Sequence, residues 1–487
     1  MSKIIIQNGN MCELDIPLKY AQKLYNEFAI RHPNAFYLRT RQRGMQNWDG
    51  KIHYITKTGQ FKIGLLPRVY DRCIEMGIKP KVVDMRQPLP KVSKVVTKIG
   101  KYQLRPEQEK AVRSVINNRV GDIPFQIGVL DLTVNFGKTL IMTSLYLSYK
   151  KQLKTLLITN DSDWLNQARE EFKQYLPGEN ITFVQGKVLN WSNFTIGMVQ
   201  SISRNMRFYQ QELSKIDMVL VDEADQGGSK QYQNVITRLF NTRIRIGLSG
   251  TIYMSKLAKD KVKNMNLECF FGEVIAEFKL KDSIKKGYST NTVVKIVPGK
   301  PWYGNWESDC ISYKEIYDDS ITENKRAWLM AYNRLQWNLN QGRFPALVVC
   351  KHIAHCENLY KFFKKKLGDA YNIAYVHVNT KSKLRQQIMK DFREGKIDIL
   401  VSTTIIARGK NFPKLRYLLN AASMLSNEKT IQFLGRLVRT DSSKKKAYVD
   451  DLMYPGNYLS RHARARKRYY QVEKLKVILV KRPKHKL

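Results

Sequence analysis

One segment of the sequence joins an apolar run to a helical pattern through a polar turn: Val129-Leu130-Asp131-Leu132-Thr133-Val134-Asn135-Phe136-Gly137-Lys138-Thr139. Residues 129–132 read as a strand, and the apolar face of Leu140–Tyr149 predicts a helix directly after the turn. Backbone N–H groups at such a helix N-terminus bind phosphate, with Lys138 as the counter-charge and Thr139 as a Mg²⁺ ligand. Because Gly-Lys-Thr is common by chance, this interpretation depends on its surroundings.

Short apolar runs alternate with helical patterns on both sides of this segment. They fall into two series, which are Thr155–Ile158, Thr195–Val199, Met218–Val221 and Ile244–Leu248, then Ala346–Val349, Ala374–His377 and Ile397–Ser402. Continuous apolar strands separated by helices are typical of parallel sheets that helices cover on both faces. We therefore predict an α/β protein with two tandem lobes at residues 101–285 and 286–455. Around them we place a small α+β accessory domain at 1–82, a linker at 83–100 and a basic tail at 456–487.

Two further segments, which follow the Gly-Lys-Thr turn along the chain, supply charged groups. Asp222 and Glu223 follow the apolar run Met218–Val221, and carboxylates at the end of a buried parallel strand point into the ligand crevice. Asp222 is predicted to hold Mg²⁺, and Glu223 to activate the attacking water. Arg436 and Arg439 share a helical face with Gln432, and we predict that they stabilise the transition state as arginine fingers. The alternatives are an exposed turn for Asp222 and Glu223 and a solvated basic helix for Arg436 and Arg439.

Composition points to a polyanionic partner. The chain of 487 residues has 84 Lys+Arg against 42 Asp+Glu, a net charge of +42. Such an excess favours nucleic acid, with solubility or a membrane surface as alternatives. Six scattered cysteines fit a reducing cytoplasm, which is the host cytoplasm if a phage encodes the chain, and no apolar run approaches the ~18 residues of a membrane span. We read the cluster Cys350, His352, His355 and Cys356 as buried and incidental, with a metal site as the alternative.

Taken together, these strings resemble the ATPase engine of the superfamily 2 helicases and translocases over roughly residues 100–455. The resemblance implies two RecA-like lobes that bind ATP and Mg²⁺ in the cleft between them. It places Arg105, Gln108 (as the reader of adenine), Asn135, Phe136, Gly137 and Gly409 near the nucleotide, and Asn160, Gln200, Ser201 and Thr403 on nucleic acid. It also implies that Ser249-Gly250-Thr251 couples hydrolysis to movement of the lobes.

The sequence departs from the family pattern in its phosphate loop and in two motifs. Leu132 and Asn135 replace small residues of the phosphate loop, and Asn tolerates left-handed backbone better than most residues. The letters Asp222-Glu223-Ala224-Asp225 suggest a DEAD-box RNA helicase. However, Ser249-Gly250-Thr251 and the segment Gln432–Arg439 do not follow that family, and the pattern is closer to DNA translocases and recombination helicases.

The flanking regions add arginines. The segments Gln46–Ile52 and Phe61–Pro67 resemble the small N-terminal domain of the UvsW-type helicases of tailed phages, which rework branched DNA. Ala35–Thr40 reads as strand-like, so Arg39, Arg41 and Arg43 are expected to line one face and contact a phosphate backbone, with a solvated face equally open. Arg461, Arg464 and Arg468 have helical spacing, and we predict that they clamp DNA. Trp48 is expected to pack in the core rather than to stack on a base.

The resemblance implies an ATP-dependent DNA helicase that unwinds or branch-migrates forks, Holliday junctions, D-loops or R-loops in recombination, repair or replication. We expect a monomer and no membrane contact. The alternatives are an RNA helicase that resolves R-loops, a nucleic-acid-binding protein without turnover, and a translocase subunit of a restriction system.

Overall fold

A computed structural model describes residues 2–41, 45–133, 135–149, 152–160, 162–188, 190–250, 252, 258–300, 312–407, 412–425, 430, 433–435, 437–441 and 444–480. The chain divides into two compact units, Met1–Phe278 and Lys279–Leu487. Each unit is built around one seven-stranded sheet. Among the described residues, no helix combines the length and the apolar character that crossing a bilayer requires.

The N-terminal part of the first unit is a small sheet with three helices. Its strands are β1 (Lys3–Ile6), β2 (Met11–Asp15), β3 (Ala29–Arg31), β4 (Lys51–His53), β5 (Gln60–Lys62) and β6 (Lys81–Asp84), and its helices are α1 (Leu18–Glu27), α2 (Ala35–Arg41) and α3 (Leu66–Glu75). The sheet has the order β5-β2-β1-β6, and β3 pairs with β4 as a separate antiparallel ribbon.

The main sheet of the first unit is parallel throughout. Two short pairs precede it, β7 (Lys98–Ile99) with β8 (Tyr102–Gln103) and β9 (Arg119–Val120) with β10 (Ile123–Pro124). Its strands are β11 (Ile127–Leu132), β12 (Thr155–Thr159), β13 (Ile181–Val184), β14 (Phe194–Met198), β15 (Met218–Asp222), β16 (Ile244–Ser249) and β17 (Val274–Phe278). The helices are α4 (Pro106–Ile116), α5 (Lys138–Ser148), α6 (Ser162–Tyr175), α7 (Val199–Arg204), α8 (Met206–Ser214), α9 (Lys230–Ile236) and α10 (Ala258–Phe271). The order across the sheet is β13-β14-β12-β15-β16-β11-β17.

The second unit repeats this arrangement. Its strands are β18 (Asn291–Pro298), β19 (Ala346–Val349), β20 (Ile373–Val376), β21 (Ile399–Ser402), β22 (Tyr417–Asn420), β23 (Lys446–Met453) and β24 (Lys476–Leu479). Its helices are α11 (Leu280–Lys285), α12 (Tyr313–Tyr317), α13 (Lys325–Leu339), α14 (Ile353–Leu367), α15 (Ser382–Glu394) and α16 (Asn457–Val472). The order β20-β21-β19-β22-β23-β18-β24 is again parallel and matches the first sheet position by position. The predicted α/β class with two tandem lobes is thereby confirmed.

The N-terminal sheet shares a core with the first lobe. One cluster of buried apolar side chains runs from Ile4 and Ile6 to Phe270 and Phe271. Arg245 of β16 is fully buried beside it and donates hydrogen bonds to Gly9 O at 2.5 Å, Asn10 Oδ1 at 2.8 Å and Phe270 O at 3.0 Å. Burial, reinforced by the charge of Arg86, lowers the pKa of Arg245 to about 9. This guanidinium therefore ties the turn after β1 to the central sheet.

The prediction of a strand at Ala35–Thr40 is wrong, because these residues form the helix α2. The segment contains Ala, Leu and Arg, which favour helices, and Thr40 is its one β-branched residue. Alternation of arginines, which suggested the strand, is weaker evidence than this composition. Arg39 and Arg41 consequently lie on different sides of a helix, since residues two apart are rotated by about 200°. Arg43 lies outside the described residues.

Candidate active site

The phosphate loop follows β11 in the first unit. Asn135 has a left-handed backbone with φ 66°, and Gly137, with φ 85°, caps the N-terminus of α5. The tolerance of Asn for this conformation explains how the loop turns without the usual glycine. Lys138 and Thr139 begin α5, so their backbone N–H groups belong to the first turn, where an anion binds.

Gln108 and Arg105 brace this loop from α4. Gln108 Nε2 and Arg105 Nη2 both donate to the carbonyl of Phe136, at 2.6 Å and 2.5 Å. Gln108 Oε1 accepts from the backbone N–H of Arg105 at 2.8 Å, and the side chain is buried. A Cβ at Gly137 would lie 2.5 Å from Gln108 Nε2, so the close approach of this amide requires glycine. Gln108 thus contacts the phosphate loop directly, and its contact with adenine stays a prediction.

Carboxylates surround the amine of Lys138 at the end of β15. Lys138 Nζ lies 4.0 Å from Asp222 Oδ1, and Ser249 Oγ donates to Asp225 Oδ1 at 2.9 Å. Glu223 has a left-handed backbone with φ 53°, which turns the chain sharply away from the strand. Burial alone would lower the pKa of Lys138, but Glu223, Asp222, Asp225 and Asp131 raise it above its ordinary value. The ammonium therefore stays charged in this partly buried position.

Asp131 is the one member of this cluster that the motifs did not reveal. It lies on β11, is 4% exposed, and contributes its charge to Lys138. The signal was present as a charged residue within an apolar run, since an acid on a fully buried strand needs a cationic partner. The apolar run by itself predicts only a strand.

Asn160, Gln200 and Ser201 lie at the same edge of the sheet. Asn160 follows β12 and donates through Nδ2 to Gln226 Oε1, immediately after the carboxylate segment. Gln200 and Ser201 belong to α7, and Gln200 Nε2 donates to Asn160 O at 3.3 Å. The structure therefore joins these polar residues to the carboxylate segment through Gln226, while their contact with nucleic acid stays a prediction.

Thr290 and Lys444 hold the segment that carries Arg439 in the second unit. Thr290 donates from its backbone N–H to Val438 O at 2.7 Å and from Oγ1 to Arg439 O at 3.0 Å. Lys444 Nζ donates to Leu437 O at 2.8 Å and to Leu415 O at 3.1 Å. Burial lowers the pKa of Lys444 to about 8. Three consecutive carbonyls are thus bound by the side chain of Lys444 and by the backbone and side chain of Thr290. Sequence reasoning missed both residues, and Thr290 lies almost 150 residues away from Arg439 along the chain.

Of the other residues predicted to be functional in the second unit, some are described by the structure and some are not. Arg439 is half-buried, and Thr403 is buried just after β21, where its backbone N–H donates to Val376 O at 3.2 Å. Gly409, Gln432 and Arg436 lie outside the described residues. The roles of Arg436 and Arg439 at a phosphoryl transition state therefore stay predictions.

The arginines of α16 separate into an exposed set and a buried member. Arg461, Arg464 and Arg468 are exposed along one face, at the spacing that predicted a common stripe. Arg466 is fully buried and pairs with Asp451, with Nη2 to Oδ1 at 2.7 Å. Tyr470 also donates to Asp451, at 2.6 Å. The buried pair fixes the rotation of α16, and this rotation directs the three-arginine stripe outward.

Comparisons with known families agree with this geometry. The profile of the family described as "Type III restriction enzyme, res subunit" matches residues 101–254, and that of the "Helicase conserved C-terminal domain" matches residues 328–441. The first match contains the phosphate loop and Asp222-Glu223, and the second contains the arginine segment. The chain belongs to the superfamily 2 helicases and is an ATP-dependent helicase.

Among individual proteins, the chain is similar to "ATP-dependent DNA helicase uvsW" of Enterobacteria phage T4. The two are 23% identical over 454 residues, covering 88% of this chain and 86% of the phage protein. It is 24% identical over 231 residues to "ATP-dependent RNA helicase CHR1" of Candida albicans, covering 46% of this chain and 33% of that protein. A structure of a fragment assigned to the HsdR subunit of a Vibrio vulnificus type I restriction enzyme has 16% identity and a TM-score of 0.56, covering 77% of this chain and 66% of the fragment. That similarity supports the fold.

Proposed function

We propose that this helicase acts on branched DNA, which it unwinds or branch-migrates at the expense of ATP. The observation that carries the proposal is the extent of similarity to the phage T4 DNA helicase, which covers 88% of the chain. The two family profiles match residues 101–254 and 328–441, so this similarity reaches well beyond the ATPase motifs. Part of the first 100 residues is therefore included in the comparison with a DNA helicase.

The ATP site is assigned from the cluster around Lys138. In our proposal, Lys138 and the first turn of α5 bind the β- and γ-phosphates, while Glu223 orients the water for in-line attack. The partly buried ammonium, held charged by four carboxylates, is already placed to balance the negative charge of the phosphates. Arg439 is proposed to complete the site from the second lobe.

Mg²⁺ is proposed to bind through Asp222 and Thr139. Among the described residues no group of three or more His, Cys, Asp or Glu side chains forms a metal cage. This fits Mg²⁺ in nucleotide enzymes, since it keeps several waters and uses one or two carboxylates together with substrate phosphates. When bound, the ion neutralises charge on the β- and γ-phosphate oxygens.

The nucleic-acid surface is proposed to include the three-arginine stripe of α16. Arg461, Arg464 and Arg468 are exposed, and the net charge of the chain is +42. Each phosphate neutralised by such a side chain releases counterions, so binding should weaken steeply as salt rises. Asn160, Gln200, Ser201 and Thr403 are proposed to contact the strand within the lobes.

A steady-state ATPase assay at fixed salt tests the proposal. The rate is measured without nucleic acid and with single-stranded DNA, blunt duplex, a four-way junction and RNA, using Lys138→Ala as the inactive reference. We expect the junction to give the highest rate and Lys138→Ala to hydrolyse no ATP on any substrate. Normal turnover by Lys138→Ala would overturn the site assignment, and equal rates on blunt duplex and junction would overturn the preference for branches.

A second candidate is an RNA helicase that resolves R-loops. It is favoured by the similarity to the Candida RNA helicase, although that match covers less than half of this chain. Stimulation by RNA alone, with no response to the junction, would establish this alternative in place of the first.

A further inference from the structure

A basic cup lies in the N-terminal part of the first unit, away from the ATP motifs. It has a volume of about 570 Å³ and opens between helix α2 and the β3–β4 ribbon. Its lining consists of Arg31, Ala35, Phe36, Arg39, Thr40, Gln46, Asp49, Gly50 and Lys51. We call this feature the N-terminal cup. Its volume lies within the range of sites that enclose a small ligand.

The floor of the cup is formed where α2 packs closely on the turn before β4. Ala35 and Gly50 are both buried there, and Gly50 has φ 77°. A Cβ at Gly50 would lie 3.1 Å from the Cβ of Ala35, so a side chain would press the helix outward. His32 N–H donates to Gly50 O at 2.8 Å and fixes the turn. The cup is therefore a built feature of the fold.

The cations of the cup face one another. Arg31 of β3 lies directly opposite Lys51 of β4 in the antiparallel register, and Arg39 approaches from α2. Like charges directly opposite each other on paired strands are destabilising. Within the described part of the chain, no ion pair involves any of these three side chains. A bound anion would relieve the repulsion between Arg31 and Lys51.

The carboxylate in the lining already has other contacts. Asp49 Oδ2 lies 2.7 Å from His53 Nε2, and Asp49 Oδ1 accepts from the backbone N–H of Lys51 at 2.9 Å. The side-chain hydrogen bond with His53 is the main cause that lowers the pKa of Asp49. Three cations thus meet one carboxylate whose oxygens are directed to His53 and the main chain. The cup keeps an excess of positive charge.

An aromatic ring stands at the wall of the cup. Phe36 is 79% exposed although it is purely apolar, and it lines the same cavity as Arg39. Aromatic rings beside cations form the usual platform for unpaired bases, because a base stacks on the ring while its phosphate meets the charge. In a paired duplex the base faces are already stacked and cannot use such a platform.

We propose that the N-terminal cup binds an unpaired nucleotide of DNA, with its phosphate between Arg31, Arg39 and Lys51 and its base on Phe36. This inference rests on the proposed action on branched DNA, since a branch point is where unpaired nucleotides occur beside duplex. It assigns different roles to two arginines of one helix. Arg39 lines the cup, whereas Arg41 lies over the ring of Tyr37 at 4.8 Å.

Fluorescence anisotropy of the full chain without ATP tests the proposal on three labelled DNAs of equal duplex length. These are a blunt duplex, a fork with two oligo-dT arms, and the same fork with abasic arms. Phe36→Ala should weaken binding of the dT fork about tenfold and leave the abasic fork unchanged, because stacking on one base is lost. Arg39→Ala should weaken both forks and leave the blunt duplex unchanged. Tyr37→Ala and Arg41→Ala are the matched controls on the same helix.

The outcomes separate this inference from the proposed function. If the wild-type chain binds none of the three DNAs, the proposed function fails. If it binds them and Phe36→Ala and Arg39→Ala behave like their controls, the cup inference is overturned while the proposed function stands. Equal loss on the blunt duplex and both forks would also overturn it, since the cup would then be a backbone contact. Circular dichroism confirms that each variant is folded.

Discussion

In the first unit, Asp222 and Asp225 lie at the carboxyl end of β15 and Lys138 lies beyond the carboxyl end of β11, whereas in the second unit Asp450 and Asp451 lie within strand β23. Asp450 accepts from Arg334, Asn338 and Tyr417 at 2.9–3.0 Å. Asp451 accepts from Arg466, Tyr470 and Asn420. The two aspartates are adjacent, so they face opposite sides of the sheet and bind the helices α13 and α16.

The comparison is informative because the two sheets have the same strand order. The first sheet carries buried charge at the carboxyl ends of its strands, next to the phosphate loop. The second sheet carries buried charge within a strand, where protein donors satisfy it. Charge surrounded by protein donors stabilises the fold, and charge arranged around a lysine at a strand end is placed for a ligand. The four predictions that follow test this division.

The largest effect is expected for Glu223→Gln, an isosteric change at the edge of the first sheet. We expect DNA-stimulated hydrolysis to fall about 10²–10⁴-fold, since the group that activates water is lost. The urea midpoint should not fall, because the variant removes one of several negative charges that lie close together. Glu212→Gln on α8, where Glu212 pairs with Lys154, is the matched control and should keep its rate. A comparable loss of stability in Glu223→Gln would contradict the comparison.

The converse is expected for Asp451→Asn in the second sheet. It leaves the fully buried Arg466 without its counter-charge, which costs about 3–5 kcal/mol of unfolding free energy. Urea unfolding followed by tryptophan fluorescence measures the loss, and the exposed Asp319→Asn should show none. Adding Arg466→Met to Asp451→Asn should restore part of the stability, since no unpaired charge remains. Failure of the double variant to recover would mean that packing, and not charge, dominates there.

Acid should weaken the second unit through His355. This side chain is 1% exposed, and burial, with a smaller contribution from His352, lowers its pKa to about 3. The unfolded chain takes up a proton near pH 6.5 and the folded chain does not. Stability therefore falls between pH 6.5 and 3, by at most about 1.4 kcal/mol per pH unit.

His355→Gln removes the titrating group and can still form a hydrogen bond with the hydroxyl of Tyr317, which lies 3.1 Å from His355 Nδ1. Unfolding at pH 7 and pH 5 should show a smaller pH dependence in this variant than in the wild type. An unchanged pH dependence would assign the acid sensitivity to other groups.

The smallest effect is expected for Ser249→Ala, which removes the hydrogen bond to Asp225 at 2.9 Å. A single hydrogen bond to a charged group contributes about 1.5–3 kcal/mol, and both partners of this bond are buried. We expect strand separation to fall about tenfold and ATP hydrolysis to fall less, which a fork-unwinding assay and an ATPase assay measure together. Equal losses would show that Ser249 serves the chemistry and not its coupling.

The sequence predicted the sheets and the phosphate loop because both depend on local patterns. Apolar runs such as Met218–Val221 specify buried parallel strands, and Asn135 takes the left-handed turn expected of it. The inward position of Arg466 was not predictable in the same way. Its neighbours at 461, 464 and 468 have the same chemistry, and the distinguishing partner, Asp451, comes from another strand.

Long-range contacts explain the other differences. Thr290 and Lys444 hold consecutive carbonyls near Arg439, but nothing in their local sequence indicates it. Alternating charge predicts a strand at Ala35–Thr40, whereas helix propensity agrees with the helix that Ala35–Arg41 form. The basic cup depends on the register that places Arg31 opposite Lys51, and that register is a property of the folded ribbon.

The contact between Arg245 and the turn at Gly9 constrains how the chain is made. These partners are 236 residues apart, and the buried cluster that contains Ile4 and Ile6 also contains Phe270 and Phe271. During synthesis this core therefore stays incomplete until more than half of the polypeptide has left the ribosome. A nascent chain of this kind folds late and is prone to aggregate while it waits. Its first segment is best regarded as the last part of the first lobe to be completed.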